Sequence, residues 1–413
     1  MIEVQYSPKG AGLEPVAIQL PYSKSISNRS LILQALYPHQ VQITALSDSE
    51  DTRLLKQALQ ANLASVDFGM AGTSARFYLA YATLLGKSIY IDASGRGRQR
   101  PVKALFEALA QLGGQWEFAH EPFTFPCRPI NAPSLGGKVL LQSDISSQFI
   151  SALMLVAPAL PNGMQIQLLG NPVSQSYLDL TVQSLQQVGA NIQMEGSEIR
   201  IHPLTNPPKK VLLHAEADWS SAAYLAQHLV LKSSPPILLP NLPINSLQAD
   251  RVLLEYFAPL GLGVKTTDNA IMMYNEEKQL DRNLNMSFEK CPDLSVAWAA
   301  AVAGAGREGR MYGLQTLRGK ESDRWLGLLN NLSSWSELSG DEKEWSIDIR
   351  QRTEVLTSGL WDTLDDHRFA MAGAVMAEVH QPMRLSEISS VKKSFPAFTS
   401  EMERLGYRFR NVE

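Results

Sequence analysis

The sequence predicts an α/β protein made of repeated units, and three observations lead to that fold class. Apolar, alanine-rich segments with polar starts recur at a nearly constant spacing along the 413 residues. A second series, in which an amphipathic segment is followed by glycine and a short β-type run, alternates with the first. No linker rich in Gly, Ser or Pro separates the copies, which favours packing around shared cores over a string of separate domains.

The apolar segments give the period of the repeat. Their starts are GMAGTSAR at residue 69, SDISSQF at 143, EADWSSAAY at 216, CPDLSVAW at 291 and DDHRFAMAG at 365. The residues just before the apolar runs are Ser74, Ser147, Ser221, Ser295 and Arg368, separated by 73, 74, 74 and 73 positions. The first copy, SKSISNRS at 23–30, precedes Ser74 by only about 47 positions, so one unit is shortened or interrupted.

The second series completes the repeated unit. Its amphipathic segments end at Gly113, Gly189, Gly261 and Gly406, with a degenerate copy near Leu332-Ser333. A glycine directly after the last periodic residue is typical of a helix C-terminus, and the apolar runs that follow predict strands. Each unit of about 73 residues therefore has two helices and several short strands. The alanine-rich helices are apolar nearly all round, which predicts that they are buried while the amphipathic helices cover them.

The polar starts of these buried helices suggest a binding site. The first N–H groups of a helix need partners, and several converging helix ends can bind a polyanion. The segment SKSISNRS adds Lys24 and Arg29 to four serines and an asparagine, more than the single side chain needed to cap a helix. The alternative is that each helix start is capped independently.

Composition limits the remaining possibilities. The chain is 45% hydrophobic and 19% charged with a formal net charge of −4, which argues against a general nucleic-acid binder. Cys127 and Cys291 are too few and too distant in sequence to suggest a disulfide framework or a zinc site. The start MIEVQYSPKG does not resemble a signal peptide, and the longest apolar stretch, Phe149 to Leu160, is too short to span a bilayer. These observations predict a cytoplasmic protein with no membrane or nucleic-acid partner.

Ten motifs occur in an order that resembles a known family. They are SKSISNR, GMAGTSAR, RQRP, SSQF, SQSY, EADWSSAAY, PD, LRGKESDR, DDHR and KKSFP. In this order the chain resembles the 5-enolpyruvylshikimate-3-phosphate synthases (3-phosphoshikimate 1-carboxyvinyltransferases) of the enolpyruvyl transferase family. The resemblance implies a two-domain inside-out α/β barrel of six repeated units, three per domain, of the EPT/RTPC-like type. It places residues 1–20 and 217–413 in a discontinuous domain containing both termini, residues 21–216 in an inserted domain, and the active site in the cleft between them.

The resemblance also implies a reaction. The family transfers the enolpyruvyl (1-carboxyvinyl) group of phosphoenolpyruvate to the 5-hydroxyl of shikimate 3-phosphate and releases phosphate, on the shikimate pathway to chorismate and the aromatic amino acids. We therefore expect a metal-independent addition and elimination with no cofactor, carried out by a monomer on these two small substrates. The substrates together carry two phosphates and two carboxylates, which requires a high local density of Arg and Lys.

Three overlapping sets of site residues follow from the resemblance. Phosphoenolpyruvate is expected to contact Lys24, Gly72, Arg100, Gln148, Arg324, Arg368 and Lys393. Shikimate 3-phosphate is expected to contact Lys24, Ser25, Arg29, Ser146, Ser147, Gln148, Ser174, Asp293 and Lys320. The implied catalytic residues are Asp293, Glu321, Lys393 and Lys24. Asp293 would accept or orient the hydroxyl proton, and Glu321 or Lys393 would transfer a proton at the methylene.

Simpler roles remain possible for several of these residues. Asp293 is also explained by a helix N-cap, and Glu321 by an ion pair with Arg324 or Lys320. His367 is interpreted as a structural or orienting donor and not as a base. Arg76 fits the pattern of an anion site.

Three positions depart from the family pattern, and two other functions compete with the reaction of the family. Tyr22, Met70 and Phe77 stand where the family usually has Gly, Asn and Pro, and Met70 replaces an amide at a helix start. The sister enzyme that acts on a nucleotide sugar usually has a Lys-Asn pair, whereas Ser25 follows Lys24 here. A non-catalytic protein that binds anions or RNA ends would not need Asp293, Glu321 and Lys393 together.

Overall fold

Two compact units make up the chain. A computed structural model describes residues 1–8, 14–60, 63–142, 146–170, 175–267, 269–276, 284–351, 360–378 and 381–412. The discontinuous unit comprises Met1–Pro21 and Glu216–Glu413, and the inserted unit comprises Tyr22–Ala215. Pro21 and Glu216 thus both belong to the discontinuous unit, one residue away from the boundaries expected from the sequence.

Twelve α-helices occur among the described residues. In the inserted unit they are α1 (Lys24–Leu36), α2 (Glu50–Gln60), α3 (Gly72–Leu84), α4 (Lys103–Gln111), α5 (Ser147–Val156) and α6 (Gln175–Gln187). In the discontinuous unit they are α7 (Trp219–Leu231), α8 (Leu253–Phe257), α9 (Ser295–Gly304), α10 (Arg324–Leu332), α11 (His367–Val375) and α12 (Phe398–Arg404). None of these helices is long and apolar enough to cross a membrane.

The odd-numbered helices are the alanine-rich segments, and they form the centre of each unit. Helices α1, α3 and α5 contact one another in the inserted unit, as α7, α9 and α11 do in the discontinuous unit. Helix α9 is buried from Ser295 to Ala303. Each triplet lies in its own hydrophobic core. The prediction that the alanine-rich helices are buried is confirmed.

The predicted glycine stops are confirmed as well. Gly113, Gly189, Gly261 and Gly406 have φ values of 92, 85, 98 and 102°, in the left-handed region that glycine enters without steric cost. The degenerate copy differs, because α10 ends at Leu332 and Ser333 follows with φ of −58°.

Twenty-two strands occur in the same described ranges. The first eleven are β1 (Ile2–Tyr6), β2 (Val16–Ala17), β3 (Val41–Ala45), β4 (Ser65–Asp67), β5 (Tyr90–Asp92), β6 (Trp116–Phe118), β7 (Cys127–Pro129), β8 (Gly137–Gln142), β9 (Met164–Leu169), β10 (Ile192–Glu195) and β11 (Glu198–Ile201). The others are β12 (Val211–His214), β13 (Ile237–Pro240), β14 (Leu262–Thr267), β15 (Ala270–Asn275), β16 (Leu284–Ser287), β17 (Gly309–Tyr312), β18 (Ser336–Asp341), β19 (Ser346–Gln351), β20 (Leu360–Trp361), β21 (Met383–Leu385) and β22 (Tyr407–Asn411).

These strands form three sheets in each unit. The inserted unit has sheets ordered β4-β5-β7-β6 and β10-β11-β9-β8, and the pair β3-β12. The discontinuous unit has sheets ordered β20-β21-β1-β22, β14-β15-β13-β2 and β16-β17-β19-β18. Every four-stranded sheet contains one parallel pair, and its remaining pairs are antiparallel. A parallel pair needs a crossover connection, and helices α3, α5, α9 and α11 provide it in four of the sheets.

The shortened first repeat has a topological explanation. Strand β2 pairs in parallel with β13, and β3 pairs in parallel with β12. The chain therefore leaves the discontinuous unit after β2, runs through α1 to β3, and returns from β12 through α7 to β13. Within the described residues, the β3-β12 sheet has no antiparallel strands. Their absence from this copy accounts for the shorter spacing between SKSISNRS and Ser74.

A buried histidine makes the stability of the discontinuous unit depend on pH. His228 on α7 is 0% exposed, and its Nδ1 lies 2.9 Å from the hydroxyl of Tyr407. Burial, and then the charge of Lys232, lower the pKa of His228 to about 3. A histidine in the unfolded chain has a pKa of about 6.5, so as the pH falls the unfolded state takes up a proton before the folded state does. The stability associated with the neutral ring is therefore lost as the pH falls below that value.

We expect His228 alone to lower the free energy of unfolding of this unit by roughly 2 kcal/mol between about pH 7.5 and about pH 5. Urea unfolding followed by tryptophan fluorescence reports on this unit, which holds six of the seven tryptophans. His228→Gln should remove this part of the pH dependence. His120→Gln, at an exposed residue of the inserted unit, should keep it. An unchanged pH dependence in His228→Gln would contradict the prediction.

Candidate active site

The carboxylate of Asp293 lies among three cations in the discontinuous unit. Asp293 belongs to a short 3₁₀ helix, Pro292–Leu294, that leads into α9. Its oxygens lie 2.8 Å from Nη1 of Arg324, 2.7 Å from Nη2 of Arg368 and 3.5 Å from Nζ of Lys320. Arg324 begins α10 and Arg368 is in the first turn of α11, so the fold brings the starts of three helices to one carboxylate.

A second carboxylate holds Arg324 from the other side. Asp366 is the N-cap of α11 and accepts a hydrogen bond from the backbone N–H of Arg368 at 3.0 Å. It also accepts from Nε and Nη2 of Arg324 at 2.8 and 3.3 Å. Burial opposes the charge of both side chains, but their attraction outweighs it, raising the pKa of Arg324 and lowering that of Asp366. With Lys320, three cations contact these two carboxylates, and their guanidinium and ammonium donors are of the kind that bind anionic ligands.

A neighbouring group contains the remaining candidates for proton transfer. Oε2 of Glu321 lies 3.0 Å from Nδ1 of His367 and 4.0 Å from Nζ of Lys393. The Lys393 ammonium donates to the backbone carbonyl of Asp365 at 2.6 Å and lies 3.3 Å from its carboxylate. Asp365 and the preceding Leu364 have φ values of 53 and 55°. Such left-handed conformations cost energy in residues with side chains, and this turn supplies the carbonyl that holds Lys393.

Three potential metal ligands also come together at this point, which the sequence did not suggest. Glu321, Asp366 and His367 each offer one ligand atom within 4.8 Å of the others. The Asp366 carboxylate, however, already accepts hydrogen bonds from Arg324, from Ser322 and from a backbone N–H group. A divalent cation at this position would be repelled by the buried Arg324 guanidinium. The side chains present therefore favour the binding of anions over metal binding.

The inserted unit contains a pair of arginines at the start of α3. An ideal Cβ on Gly72, the first residue of α3, would lie 2.2 Å from Nη1 of Arg100 and 2.9 Å from Nη1 of Arg76. Arg76 donates to Oε1 of Gln148 at 2.5 Å and to the carbonyl of Pro101 at 2.6 Å. Burial, and then the charge of Arg100, lower the pKa of Arg76 well below its usual range. Two guanidinium groups and a side-chain amide thus face a backbone position with no side chain.

Arg29 provides a further buried cation in this unit. It is 3% exposed and donates to the hydroxyls of Thr181 and Ser151 and to the carbonyls of Ser25 and Tyr177. All of these partners are uncharged. Burial lowers the pKa of Arg29 to about 10, which leaves it charged at neutral pH. A buried cation with only neutral partners is suited to bind an anion.

The helix starts of the inserted unit hold the other candidates. Lys24 is the first residue of α1, and its Nζ lies 3.0 Å from Oδ2 of Asp51. Ser146 is the N-cap of α5, and its hydroxyl accepts from the backbone N–H of Gln148 at 3.3 Å. Ser147, the first residue of that helix, is buried. Both helix starts therefore present polar groups of the kind that bind phosphate.

The structure connects most of the sequence-predicted residues within two local clusters, one in each unit. In the discontinuous unit a chain of contacts through Asp366 and His367 links Asp293, Lys320, Glu321, Arg324, Arg368 and Lys393. In the inserted unit Gly72, Arg100 and Gln148 meet at Arg76. Lys24, Ser25 and Arg29 lie in α1, and Ser146 and Ser147 lie at the start of α5. Ser174 lies outside the described residues.

The simpler roles considered for two carboxylates are insufficient. Asp293 does not occupy the N-cap position of the 3₁₀ helix or of α9, and its side chain contacts three cations, so the interpretation as a cap alone is wrong. Glu321 contacts His367 and Lys393, so an ion pair with Arg324 or Lys320 is not its whole role.

Sequence reasoning missed two partners of these residues. Asp366 holds Arg324, and Asp51 holds Lys24. An Asp directly before the apolar run of DDHRFAMAG is an N-cap signal, which could have identified Asp366. No local pattern connects Asp51 with Lys24, because their contact depends on the packing of α2 against α1.

Solved structures show which class of protein has this fold. An EPSP synthase from Acinetobacter baumannii aligns over 100% of both chains with a TM-score of 0.76 at 18% identity. The enolpyruvyl transferase NikO from Streptomyces tendae aligns over 99% of this chain and 98% of its own with a TM-score of 0.72 at 11% identity. The fold is therefore that of the enolpyruvyl transferases, which confirms the predicted fold class.

Sequence comparisons then identify the family. Its sequence model, EPSP synthase (3-phosphoshikimate 1-carboxyvinyltransferase), matches residues 55–402. A 3-phosphoshikimate 1-carboxyvinyltransferase from Bacteroides fragilis is 32% identical over 392 residues, 94% of this chain and 95% of its own. One from Histophilus somni is 28% identical over an alignment of 428 positions, which covers 94% of this chain and 96% of its own. The chain belongs to the EPSP synthase family, and the resemblance inferred from its motifs is confirmed.

Proposed function

We propose that this protein transfers the enolpyruvyl group of phosphoenolpyruvate to the 5-hydroxyl of shikimate 3-phosphate and releases phosphate, as its relatives are named for doing. The observation that carries the proposal is the cluster in which Arg324, Arg368 and Lys320 surround the carboxylate of Asp293. It combines cations for the phosphate and carboxylate groups of two anionic substrates with a carboxylate that can accept a proton. Membership of the EPSP synthase family supports the same reaction.

The chemistry consists of an addition followed by an elimination. The 5-hydroxyl oxygen forms a bond to C2 of phosphoenolpyruvate as its proton passes to Asp293, and C3 gains a proton and becomes a methyl group. The resulting tetrahedral adduct breaks the bond between C2 and the phosphate oxygen. Phosphate leaves, C3 loses one proton, and the carbon–carbon double bond forms again. Glu321 and Lys393 are the groups available for the proton transfers at C3.

Asp293 must first exchange its partners. Arg324 and Arg368 hold its oxygens at 2.8 and 2.7 Å. The planar guanidinium forks also suit the carboxylate of phosphoenolpyruvate. We infer that the substrate anions take over these arginines and leave the Asp293 carboxylate available to the attacking hydroxyl. Binding of the substrates would thus activate the base.

Binding roles are proposed for the remaining candidates. Phosphoenolpyruvate is bound by Lys24, Gly72, Arg100, Gln148, Arg324, Arg368 and Lys393. Shikimate 3-phosphate is bound by Lys24, Ser25, Arg29, Ser146, Ser147, Gln148, Ser174, Asp293 and Lys320. Lys24 is included among the catalytic residues because its ammonium can stabilise the charge of the departing phosphate.

We propose that each unit supplies half of the site and that the two halves close on the substrates in a cleft between them. A polyanion that binds cations of both units would hold the two halves together. The radius of gyration in solution should therefore fall when both substrates are added, and an unchanged value counts against closure.

We further propose that the protein acts as a cytoplasmic monomer; its free thiols Cys127 and Cys291 fit a reducing compartment.

The decisive experiment is an assay of phosphate release in the presence of a chelator. Phosphate should appear only when shikimate 3-phosphate and phosphoenolpyruvate are both present, and a nucleotide sugar should not replace the first of them. Activity that disappears with the chelator and returns with a divalent metal would refute the metal-independent mechanism. Activity with phosphoenolpyruvate and the nucleotide sugar, but not with phosphoenolpyruvate and shikimate 3-phosphate, would assign the protein to the sister reaction.

Gly72→Ala is expected to raise the KM for phosphoenolpyruvate by about 10- to 100-fold, the equivalent of one or two charge-assisted hydrogen bonds. The new Cβ would overlap Arg100, with contacts of 2.2 Å to Nη1 and 2.5 Å to Cζ. These atoms end a flexible side chain, so the fold should survive while Arg100 is displaced. Gly319→Ala is the matched control, since a Cβ there meets no atom of the described residues within 4 Å. Steady-state kinetics measure the KM for phosphoenolpyruvate in both variants. A KM of Gly72→Ala within threefold of wild type would contradict the role assigned to Arg100.

A further inference from the structure

Arg76 is a second deeply buried cation of the inserted unit, in addition to Arg29. It lies in the second turn of α3 with an exposed fraction of 4%. Its guanidinium stacks over the ring of Phe149 at 5.3 Å and donates to Gln148 and to the carbonyl of Pro101. Its Nε meets no hydrogen-bond acceptor among the described residues. Both hydrogen bonds of the Arg76 guanidinium are therefore made to neutral groups of the protein itself.

The charge of Arg76 is not balanced by its surroundings. None of its hydrogen-bond partners in the described part of the chain is a carboxylate, and the charge of Arg100 acts on it from nearby. Burying a cation beside another cation opposes folding, because desolvation and like-charge repulsion act together. A position that is unfavourable for stability is often occupied for function.

The contact with Gln148 fixes the orientation of an amide. Arginine has five N–H donors and no acceptor, so only the carbonyl oxygen of the Gln148 side chain can face it. Oε1 is therefore directed to Arg76, at 2.5 Å. The Nε2 group, with its two donors, is left to face away from Arg76. Without Arg76 the amide could rotate and present its oxygen to an anion, which would repel it.

The same guanidinium also supports the neighbouring cation. Its second hydrogen bond is to the carbonyl of Pro101, the residue that follows Arg100. Arg100 in turn donates to the carbonyl of Met70 at 3.3 Å, beside Gly72. Arg76 thus contacts both the helix that carries Gln148 and the segment that carries Arg100.

We propose that Arg76 is a positioning residue that holds the Gln148 amide with Nε2 directed to the bound anion and fixes the segment of Arg100 beside it. The proposal rests on the proposed function, because the anion in question is phosphoenolpyruvate. Arg76 acts through Gln148, so removing Arg76 should matter only while Gln148 is present.

A double-mutant cycle tests this dependence. Arg76→Met is expected to raise the KM for phosphoenolpyruvate by about 10- to 100-fold in the wild-type background. In the Gln148→Ala background, the factor by which Arg76→Met raises the KM should be at least threefold smaller. The general effect of the lost charge is common to both backgrounds and cancels in this comparison. Arg53→Met is the control for arginine loss in the same unit. Its side chain is 56% exposed, and it should leave the kinetics within twofold of wild type.

A second variant tests the amide orientation even if Arg76→Met does not fold. Gln148→Glu keeps an oxygen for Arg76 and replaces the donating nitrogen by another oxygen. It should raise the KM at least as much as Gln148→Ala, while the new ion pair keeps the melting temperature at or above that of wild type. A KM within threefold of wild type in Gln148→Glu, or equal effects of Arg76→Met in both backgrounds, would overturn the proposal. An inactive wild-type protein would instead refute the proposed function.

Discussion

Asp293→Asn is expected to lower turnover by about 10²- to 10⁴-fold, the range in which a general base contributes to catalysis. Asparagine is close to aspartate in shape but cannot accept the proton of the attacking hydroxyl. The change also removes the negative charge that holds Arg324 and Arg368 together in the unliganded protein. We therefore expect the free protein to melt at a lower temperature, and bound substrate anions to restore much of the difference.

The measurement combines phosphate release with calorimetric binding of shikimate 3-phosphate, which Asp293→Asn should retain. Asp323→Asn is the matched control. Asp323 is the N-cap of α10 and accepts from the backbone N–H of Leu326 at 3.1 Å. Asparagine caps a helix about as well as aspartate, so this variant should keep its turnover and its melting temperature. Turnover of Asp293→Asn within threefold of wild type would contradict the assignment of Asp293 as the base.

The repeat architecture could be predicted because its signals are local. A helix buried in the centre of a unit must be apolar on every side, and α9 shows this as the run SVAWAAAVAG. A helix that stops before a strand benefits from a left-handed residue, and Gly189 and Gly406 mark two such stops. The passage of the chain from β2 in one unit to β3 in the other left only one indirect sign in the sequence, the shortened spacing after SKSISNRS.

The identity of the site residues could be predicted only in part, because their roles depend on contacts between distant segments. The cations of the LRGKESDR and DDHR motifs were evident, but not that Arg324 joins Asp293 to Asp366, 31 and 42 residues away. Arg76 and Gln148 are 72 residues apart, close to one repeat, in the second turn of α3 and the first turn of α5. Periodicity could place both near helix starts, but only the packed structure shows which amide atom faces the guanidinium.

The sequence left open whether Glu321 or Lys393 protonates the methylene, and the geometry favours Lys393. An ammonium group carries protons at neutral pH, and the Lys393 Nζ is held by the carbonyl of Asp365 at 2.6 Å. Glu321 lies against Lys393 and His367, where a carboxylate is suited to stabilise positive charge. We infer that Lys393 gives the proton to C3 and that Glu321 orients the ammonium.

Lys393→Met should therefore lower turnover by about 10²- to 10⁴-fold, as expected for a lost general acid. Glu321→Gln should lose less, about 10- to 100-fold, because the amide oxygen can still accept from Lys393 or His367. Lys392→Met, at the exposed neighbouring lysine, is the matched control and should leave turnover unchanged. In heavy water, C3 gains deuterium when it becomes a methyl group in the adduct, and part of this deuterium stays in the methylene of the product. Mass spectrometry detects it. Two results together would assign the proton to Glu321. Turnover would fall further in Glu321→Gln than in Lys393→Met, and deuterium would still enter the product of Lys393→Met at the wild-type fraction per turnover.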